Sequence, residues 1–338
     1  VRTLVVRLDS LGDLLVTGPA IRALAAGSEH VTLLCGPRGR GGAGLLPGVD
    51  EVQCWRAPWI DPEPDPVDRD EVERLRDELA AGRYDRAVVF TSFHQSALPT
   101  ALLLRLAGVP WVGAISEDYP GALLDLRVTG VPDDIPEHER ALWLARAAGA
   151  ELPPGDDGLP AVRRDPAARP TAVEPPYVVL HPGTSAPARA WAPQRYRFLA
   201  DRLVELGHRV VVTGGPGEEE LTAFVAGGVA LDLGGRLSVP ELTEVLALAD
   251  AVVVGNTGPA HLAAAVRTPV VSLYAPTVPA VRWRPYGGPV VLLGDQHAAC
   301  RDTRATACPI PGHPCLDSVM PGEVVAAVTA LCGRPAPV

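Results

Sequence analysis

Apolar runs of four or five residues punctuate this chain, each breaking into a turn of glycine with hydroxyl or charged residues. The pattern predicts buried strands alternating with helices. The runs are Leu4–Leu8, Val31–Leu34, Arg86–Phe90, Tyr177–Leu180, Arg209–Thr213, Ala251–Val254 and Val270–Leu273. They lack strict alternation, as expected of parallel strands covered on both faces. An amphipathic helix is predicted after the first run, reaching Leu24, and another from Pro193. From Leu152 to Pro176 proline, aspartate and arginine crowd together without periodicity. This places a linker at 161–176 between domains at 1–160 and 177–338, with the last helix free to pack back onto the first domain.

Four of the turns carry candidate chemistry. Val252–Gly255 runs into Asn256-Thr257-Gly258-Pro259-Ala260-His261, and Tyr177–Leu180 into His181-Pro182-Gly183-Thr184-Ser185, with Arg189 and Trp191 following. Val210–Thr213 enters Gly214-Gly215-Pro216-Gly217 and then Glu218-Glu219-Glu220, and the first strand opens into Asp9-Ser10-Leu11-Gly12-Asp13. Unpaired N–H groups at a helix start, helped by the helix dipole, suit a phosphate. Ligands of parallel sheets collect at the carboxyl ends of the strands, so the turns point to a nucleotide or nucleotide sugar. A Rossmann oxidoreductase would need Gly-x-Gly-x-x-Gly after the first strand; that turn has only Gly12.

With Arg7 and Gly12-Asp13 in the first turn, His-Pro-Gly mid-chain and Gly-Pro-x-His late, the sequence resembles glycosyltransferase family 9, the heptosyltransferase family, over Val5 to about Val328. The resemblance implies an α/β fold of the GT-B type, two Rossmann-like domains with parallel sheets facing across a cleft. It implies an inverting transferase in which Asp13 is the general base and Asp9, Ser10 and Gly12 form the acceptor-facing turn. Capping of the first helix is the simpler role open to Asp13. On the donor side it implies that Thr184, Ser185 and Arg189 meet the diphosphate, that Glu219 or Glu220 accepts from the ribose, and that Thr257, Gly258 and His261 complete the site. A simple core role is also open to His261. Many relatives carry aspartate where this chain has Asn256, which bears on the donor sugar. The expected donor is ADP-heptose. No Asp-x-Asp motif occurs among these turns, so neither a cofactor nor a catalytic metal is expected.

Composition refines the acceptor. All 30 basic residues are arginine, and the net charge is −10. Residues 1–170 hold 18 Arg against 26 Asp and Glu, residues 171–338 hold 12 against 14. An acidic first half argues against nucleic acid and anionic membrane surfaces. With Asp9 beside Asp13, it favours a neutral or cationic small-molecule acceptor, such as an aminoglycoside-like or nucleoside natural product. The codon bias implied by an all-arginine, Ala- and Gly-rich chain suits an antibiotic-biosynthesis setting. A lipopolysaccharide-core acceptor and a non-catalytic sugar-nucleotide binder are the alternatives. No apolar stretch would span a bilayer and no charged leader precedes the first strand, so a cytoplasmic protein is expected.

Six cysteines at irregular spacing suggest reduced thiols. His297, Cys300, Cys308 and Cys315 leave a structural zinc as the lesser alternative. The family often has a cysteine-rich segment here, and three thiolates with an imidazole could close a tetrahedron.

Overall fold

The computed structural model describes residues 1–333, and the chain divides into two compact units between Arg163 and Arg164. In the first unit the strands are β1 (Arg2–Arg7), β2 (His30–Cys35), β3 (Glu51–Cys54), β4 (Arg86–Val89), β5 (Val112–Ile115) and β6 (Leu126–Val128). Its helices are α1 (Leu11–Ala26), α2 (Arg40–Ala43), α3 (Arg69–Ala81), α4 (Leu98–Leu106) and α5 (Glu137–Ala147). The strands form one parallel sheet in the order β3-β2-β1-β4-β5-β6.

The second unit repeats the plan. Its strands are β7 (Val178–His181), β8 (Val210–Val212), β9 (Leu231–Asp232), β10 (Ala251–Gly255), β11 (Val270–Leu273) and β12 (Val290–Leu293). The helices are α6 (Pro193–Glu205), α7 (Glu219–Ala226), α8 (Val239–Ala247), α9 (Gly258–Ala265), α10 (Ala280–Trp283), α11 (Pro314–Asp317) and α12 (Pro321–Leu331). This sheet is also parallel, in the order β12-β11-β10-β7-β8-β9. Counted from the first strand of each unit, both sheets read 3-2-1-4-5-6, the doubly wound order whose switch point lies between strands 1 and 4. The switch points are therefore β1/β4 and β7/β10.

All seven predicted runs are strands. The helix after β1 departs from its amphipathic reading: every residue from Leu14 to Leu24 is buried, because α1 packs against β1 and β2 and also against α5. Its Arg22 makes a bidentate pair with Asp156, 2.6 Å for each bond, fastening the segment after α5 to the first unit. Successive arginines then take different partners. Arg163 donates to the carbonyls of Leu46 (2.8 Å) and Val49 (2.6 Å) in the first unit, whereas Arg164 makes a forked pair with Glu244 in the second (3.1 and 2.7 Å). Within the second unit α12 lies against α6, β10 and β11. No helix among the described residues is long and apolar enough to cross a membrane.

Candidate active site

At the β1/β4 switch point, the last residue of β1 is a buried arginine, Arg7, only 3% exposed. Burying a guanidinium requires partners, and it has several. Its Nε lies 2.9 Å from Asp9 Oδ2, and its Nη2 donates to Asp13 Oδ1 and to Ser92 Oγ, each at 3.0 Å. Gln95 closes the ring: its Nε2 donates to Asp9 Oδ1 (2.5 Å) and its Oε1 accepts from the Ser92 N–H (2.9 Å).

Asp13 is the third residue of α1, not its cap. Ser10 is the cap, and Asp13 Oδ2 reaches back to accept from the Ser10 N–H (3.2 Å) and hydroxyl (2.5 Å), the reciprocal half of a capping box. Helix-start stabilisation and a candidate base thus reside in one carboxylate. Burial alone would raise its pKa, but the Arg7 charge and the Ser10 hydrogen bonds outweigh burial and hold it below the usual aspartate range. For Asp9 burial prevails over Arg7 and the carboxyl is raised. Burial would lower the Arg7 pKa, but the surrounding Asp9, Asp13 and Glu137 charges raise it above the ordinary value. Asp13 therefore stays ionised at neutral pH, with 17% of its side chain still exposed.

The acceptor-facing trio reads differently in three dimensions. Asp9 is only 10% exposed at its side chain, and its carboxylate is engaged by Arg7 and Gln95, so it serves as a counter-ion rather than as a lure for cations. The Ser10 hydroxyl is given to Asp13, and Gly12 is buried in the first turn of α1, offering backbone only. Ser92 and Gln95, part of the ring, carry no motif in the sequence.

In the second unit the β7/β10 switch point gathers most of the expected donor-side residues. The 3₁₀ turn Pro187–Arg189 passes so close to the end of β10 that a Cβ on Gly255 would lie 3.2 Å from the Arg189 carbonyl oxygen; glycine permits that approach. Thr184 Oγ1 accepts from the Ala186 N–H at 3.2 Å, and Ser185 is exposed. Thr257 precedes α9 in extended conformation without its side chain capping the helix; Pro259 has no N–H and the Ala260 N–H is donated to the Thr257 carbonyl (3.0 Å), so the Gly258 N–H is the first-turn donor left to an anion. Asn256 is 5% exposed; its Oδ1 and Nδ2 make no hydrogen bond of good geometry among the described residues, but the Tyr274 phenol lies close enough to interact with its side chain. The phenol beside it, Tyr274, donates to the Pro279 carbonyl at 3.3 Å. His261 is 7% exposed and sits in the buried body of α9.

The carboxylate nearest the β7 turn is not the one the sequence suggested. Glu218, the N-cap of α7, accepts from the Gly215 N–H at 2.7 Å and lies against Gly183, where a Cβ would come within 2.1 Å of its oxygens. It joins the His-Pro-Gly and Gly-Gly-Pro-Gly turns. Glu219 is exposed; its carboxyl is held below the usual range by backbone N–H donors, its own and that of Gly217. Glu220 is exposed too. Beneath these turns His181 is buried and shares a 3.0 Å hydrogen bond with Thr213 Oγ1; burial pulls its pKa down to about 4, so the ring is neutral at pH 7.

The late cysteines behave as thiols. Burial, followed by the nearness of Cys300 and Cys308, pushes the Cys315 thiol up to about 12. His297 is exposed, with its N–H donated to Asp295. No group of three or more His, Cys, Asp or Glu among the described residues is arranged to hold a metal ion, so the His297–Cys315 set does not assemble into the tetrahedral site considered above.

Two doubly wound parallel sheets, the second with an anion-receptive strand end, define an α/β protein of the nucleotide-binding class. The chain belongs to glycosyltransferase family 9 (heptosyltransferase), whose family-wide sequence model matches residues 72–312. It is 29% identical to lipopolysaccharide heptosyltransferase 1 of Pseudomonas aeruginosa over 316 residues, covering 87% of this chain and 83% of that protein. A shorter match to lipopolysaccharide heptosyltransferase 3 of Escherichia coli, 31% identical over 121 residues, covers 34% of this chain and only 35% of the relative. The fold is shared with the structure of E. coli ADP-heptose lps heptosyltransferase II, at TM-score 0.76 and 21% identity, with 98% of each chain covered. It is also shared with E. coli heptosyltransferase WaaC with ADP, at TM-score 0.72 and 21% identity, covering 98% of this chain and 100% of the other.

Proposed function

We propose that this protein transfers a heptosyl group from ADP-heptose to a saccharide hydroxyl, with inversion at the anomeric carbon, and that the acceptor is of the lipopolysaccharide-core kind. The observation that carries the reading is Asp13, held ionised between Arg7 and Ser10 at the mouth of the first sheet. As the acceptor oxygen bonds to the anomeric carbon, its proton passes to Asp13 and the bond from that carbon to the diphosphate oxygen breaks. A carboxylate of low pKa is a weak base, which suits a concerted step in which the hydroxyl becomes acidic only as it attacks. Arg189 and the α9 N-terminus meet the charge on the departing diphosphate, while Glu218 is the carboxylate placed to accept from ribose hydroxyls. The names of the relatives, lipopolysaccharide heptosyltransferases 1 and 3 and ADP-heptose heptosyltransferase II, support both donor and acceptor. They lend nothing to an antibiotic-biosynthesis setting.

One observation favours a second acceptor. The segment following β3, which like the β1 turn leaves the carboxyl end of its strand, carries Asp61, Glu63, Asp65, Asp68, Asp70, Glu71 and Glu73 against Arg56, Arg69 and Arg74, which pair with four of them; the net negative charge disfavours an anionic saccharide and admits a neutral or amine-bearing one. The test is a transfer assay with ADP-heptose against a lipopolysaccharide-core fragment, amino sugars and nucleosides. Product with the core fragment supports the main reading. Product only with the uncharged or cationic acceptors transfers it to the second, and no product from ADP-heptose with any acceptor defeats both.

A further inference from the structure

We propose that Arg304 is a second guanidinium for the donor diphosphate, acting beside Arg189; the proposal rests on the reading that this unit holds a nucleoside diphosphate sugar. The irregular segment around it is laid over two strand-end turns by backbone hydrogen bonds. The Asp302 N–H donates to the Pro276 carbonyl (2.9 Å) and the Arg304 N–H to that of Thr277 (2.8 Å), both beyond the end of β11. The Ala188 N–H, next to Arg189, donates to the Thr306 carbonyl (2.8 Å), and His313 Nε2 lies 3.0 Å from the Ala188 carbonyl oxygen. Arg304 is thus suspended between the β11 exit and the turn that carries Arg189.

Its backbone is in the left-handed region, φ +58, as is that of Asp302 at +60. Residues with side chains adopt this conformation at a cost, and such positions concentrate at ligand clamps. The Asp302 carboxylate is 3.1 Å from Arg301 Nε. Burial first, and then repulsion from the nearby Arg189 charge, make the Arg304 guanidinium easier to deprotonate than an ordinary one, though the residue remains exposed. An anion between them converts that repulsion into two charge-assisted contacts. Below the same turns, Thr277 is 1% exposed and its Oγ1 has no hydrogen-bond partner among the described residues, supplying a neutral donor under the two charges.

The experiment is calorimetric titration of the intact protein with adenosine, AMP and ADP, comparing wild type with Arg304→Gln and Arg189→Gln. Arg304→Gln should weaken ADP by about tenfold or more, the loss of a charge-assisted contact, weaken AMP less, and leave adenosine within about twofold. Arg304→Gly removes the charge while relieving the positive φ, so it should fold at least as well and show the same selective loss. Unchanged ADP affinity in Arg304→Gln, alongside a loss in Arg189→Gln, would overturn the proposal, as would an equal loss for adenosine and ADP. Wild type preferring UDP or GDP would correct the donor base instead; the same ratio of diphosphate to nucleoside then decides Arg304. Wild type that binds no nucleoside diphosphate would remove both the donor reading and this proposal.

Discussion

The two switch points share a topology and differ in how they treat buried polarity. At β1/β4, Arg7, Asp9, Asp13, Ser10, Ser92 and Gln95 close upon one another in a ring of hydrogen bonds and ion pairs. At β7/β10 the chain buries an asparagine whose amide makes no hydrogen bond of good geometry among the described residues and has the Tyr274 phenol beside it. A network closed by charge pairs, including Arg7 Nε with Asp9 Oδ2, which meet as an ion pair without hydrogen-bond geometry, fixes one geometry and keeps it when nothing is bound. A poorly satisfied amide costs stability until something binds, by no more than the roughly 1–3 kcal/mol of a buried group left wholly unpaired. On the proposed function, the first mouth holds a base still and the second is finished by its ligand.

Five substitutions would break or sharpen that contrast. The largest effect is expected from Arg7→Leu, which strands Asp9, Asp13 and Glu137 without their shared cation and should cost about 3–5 kcal/mol in urea unfolding, the scale of a broken buried pair. A cost below about 1 kcal/mol would show that the ring contributes little. Asp13→Asn should lower kcat by about 10²-fold or more, as removal of a general base does, with ADP affinity unchanged; a parallel loss of ADP binding would mean that the substitution disturbs more than the base.

His181 gives a pH signature confined to the second mouth. Its folded pKa, about 4, is depressed below the ordinary value of about 6.5, so folding favours the neutral ring. The associated stability is complete above about pH 6.5 and is lost as pH falls towards about 4. Wild type should lose about 2 kcal/mol from this group between pH 7.5 and 5, and His181→Gln should be spared that loss in a comparison of denaturation curves. The smallest effect has the opposite sign to the first. Asn256→Leu, replacing a poorly satisfied amide by an apolar group of similar size, should raise the stability of the unliganded protein by up to about 1 kcal/mol and weaken donor binding. Its counterpart Asp13→Leu should destabilise.

What the sequence disclosed follows the same physics. Strands buried on both faces, such as Leu4–Arg7 and Val252–Val254, are continuous apolar runs that little else resembles. The strands it did not reveal are β3, β5, β6, β9 and β12, all lateral to the central strands; β3 reads Glu-Val-Gln-Cys and β9 only Leu-Asp, too short and too polar to stand out. The turns that carry Asp13, Thr184, Arg189 and Asn256 were legible because glycine and hydroxyl residues must follow such strands. Glu218 was not, since three successive glutamates are equivalent until the helix start is located. Gln95, Ser92 and Arg304 reach their places through tertiary contacts alone, and no local pattern announces them. The acidity of Asp9 was legible, but not its burial, which inverts its meaning.

Each unit also owns its hydrophobic interior: one cluster runs from Leu4 and Val6 to Leu124, the other from Val178 and Leu180 to Val328. These two clusters share no side chain, and each is a nucleus of cooperativity within the chain. Heat should melt it in two steps, and a nucleotide bound at saturating excess should delay only the step belonging to the half that holds it, by an amount set by mass action alone.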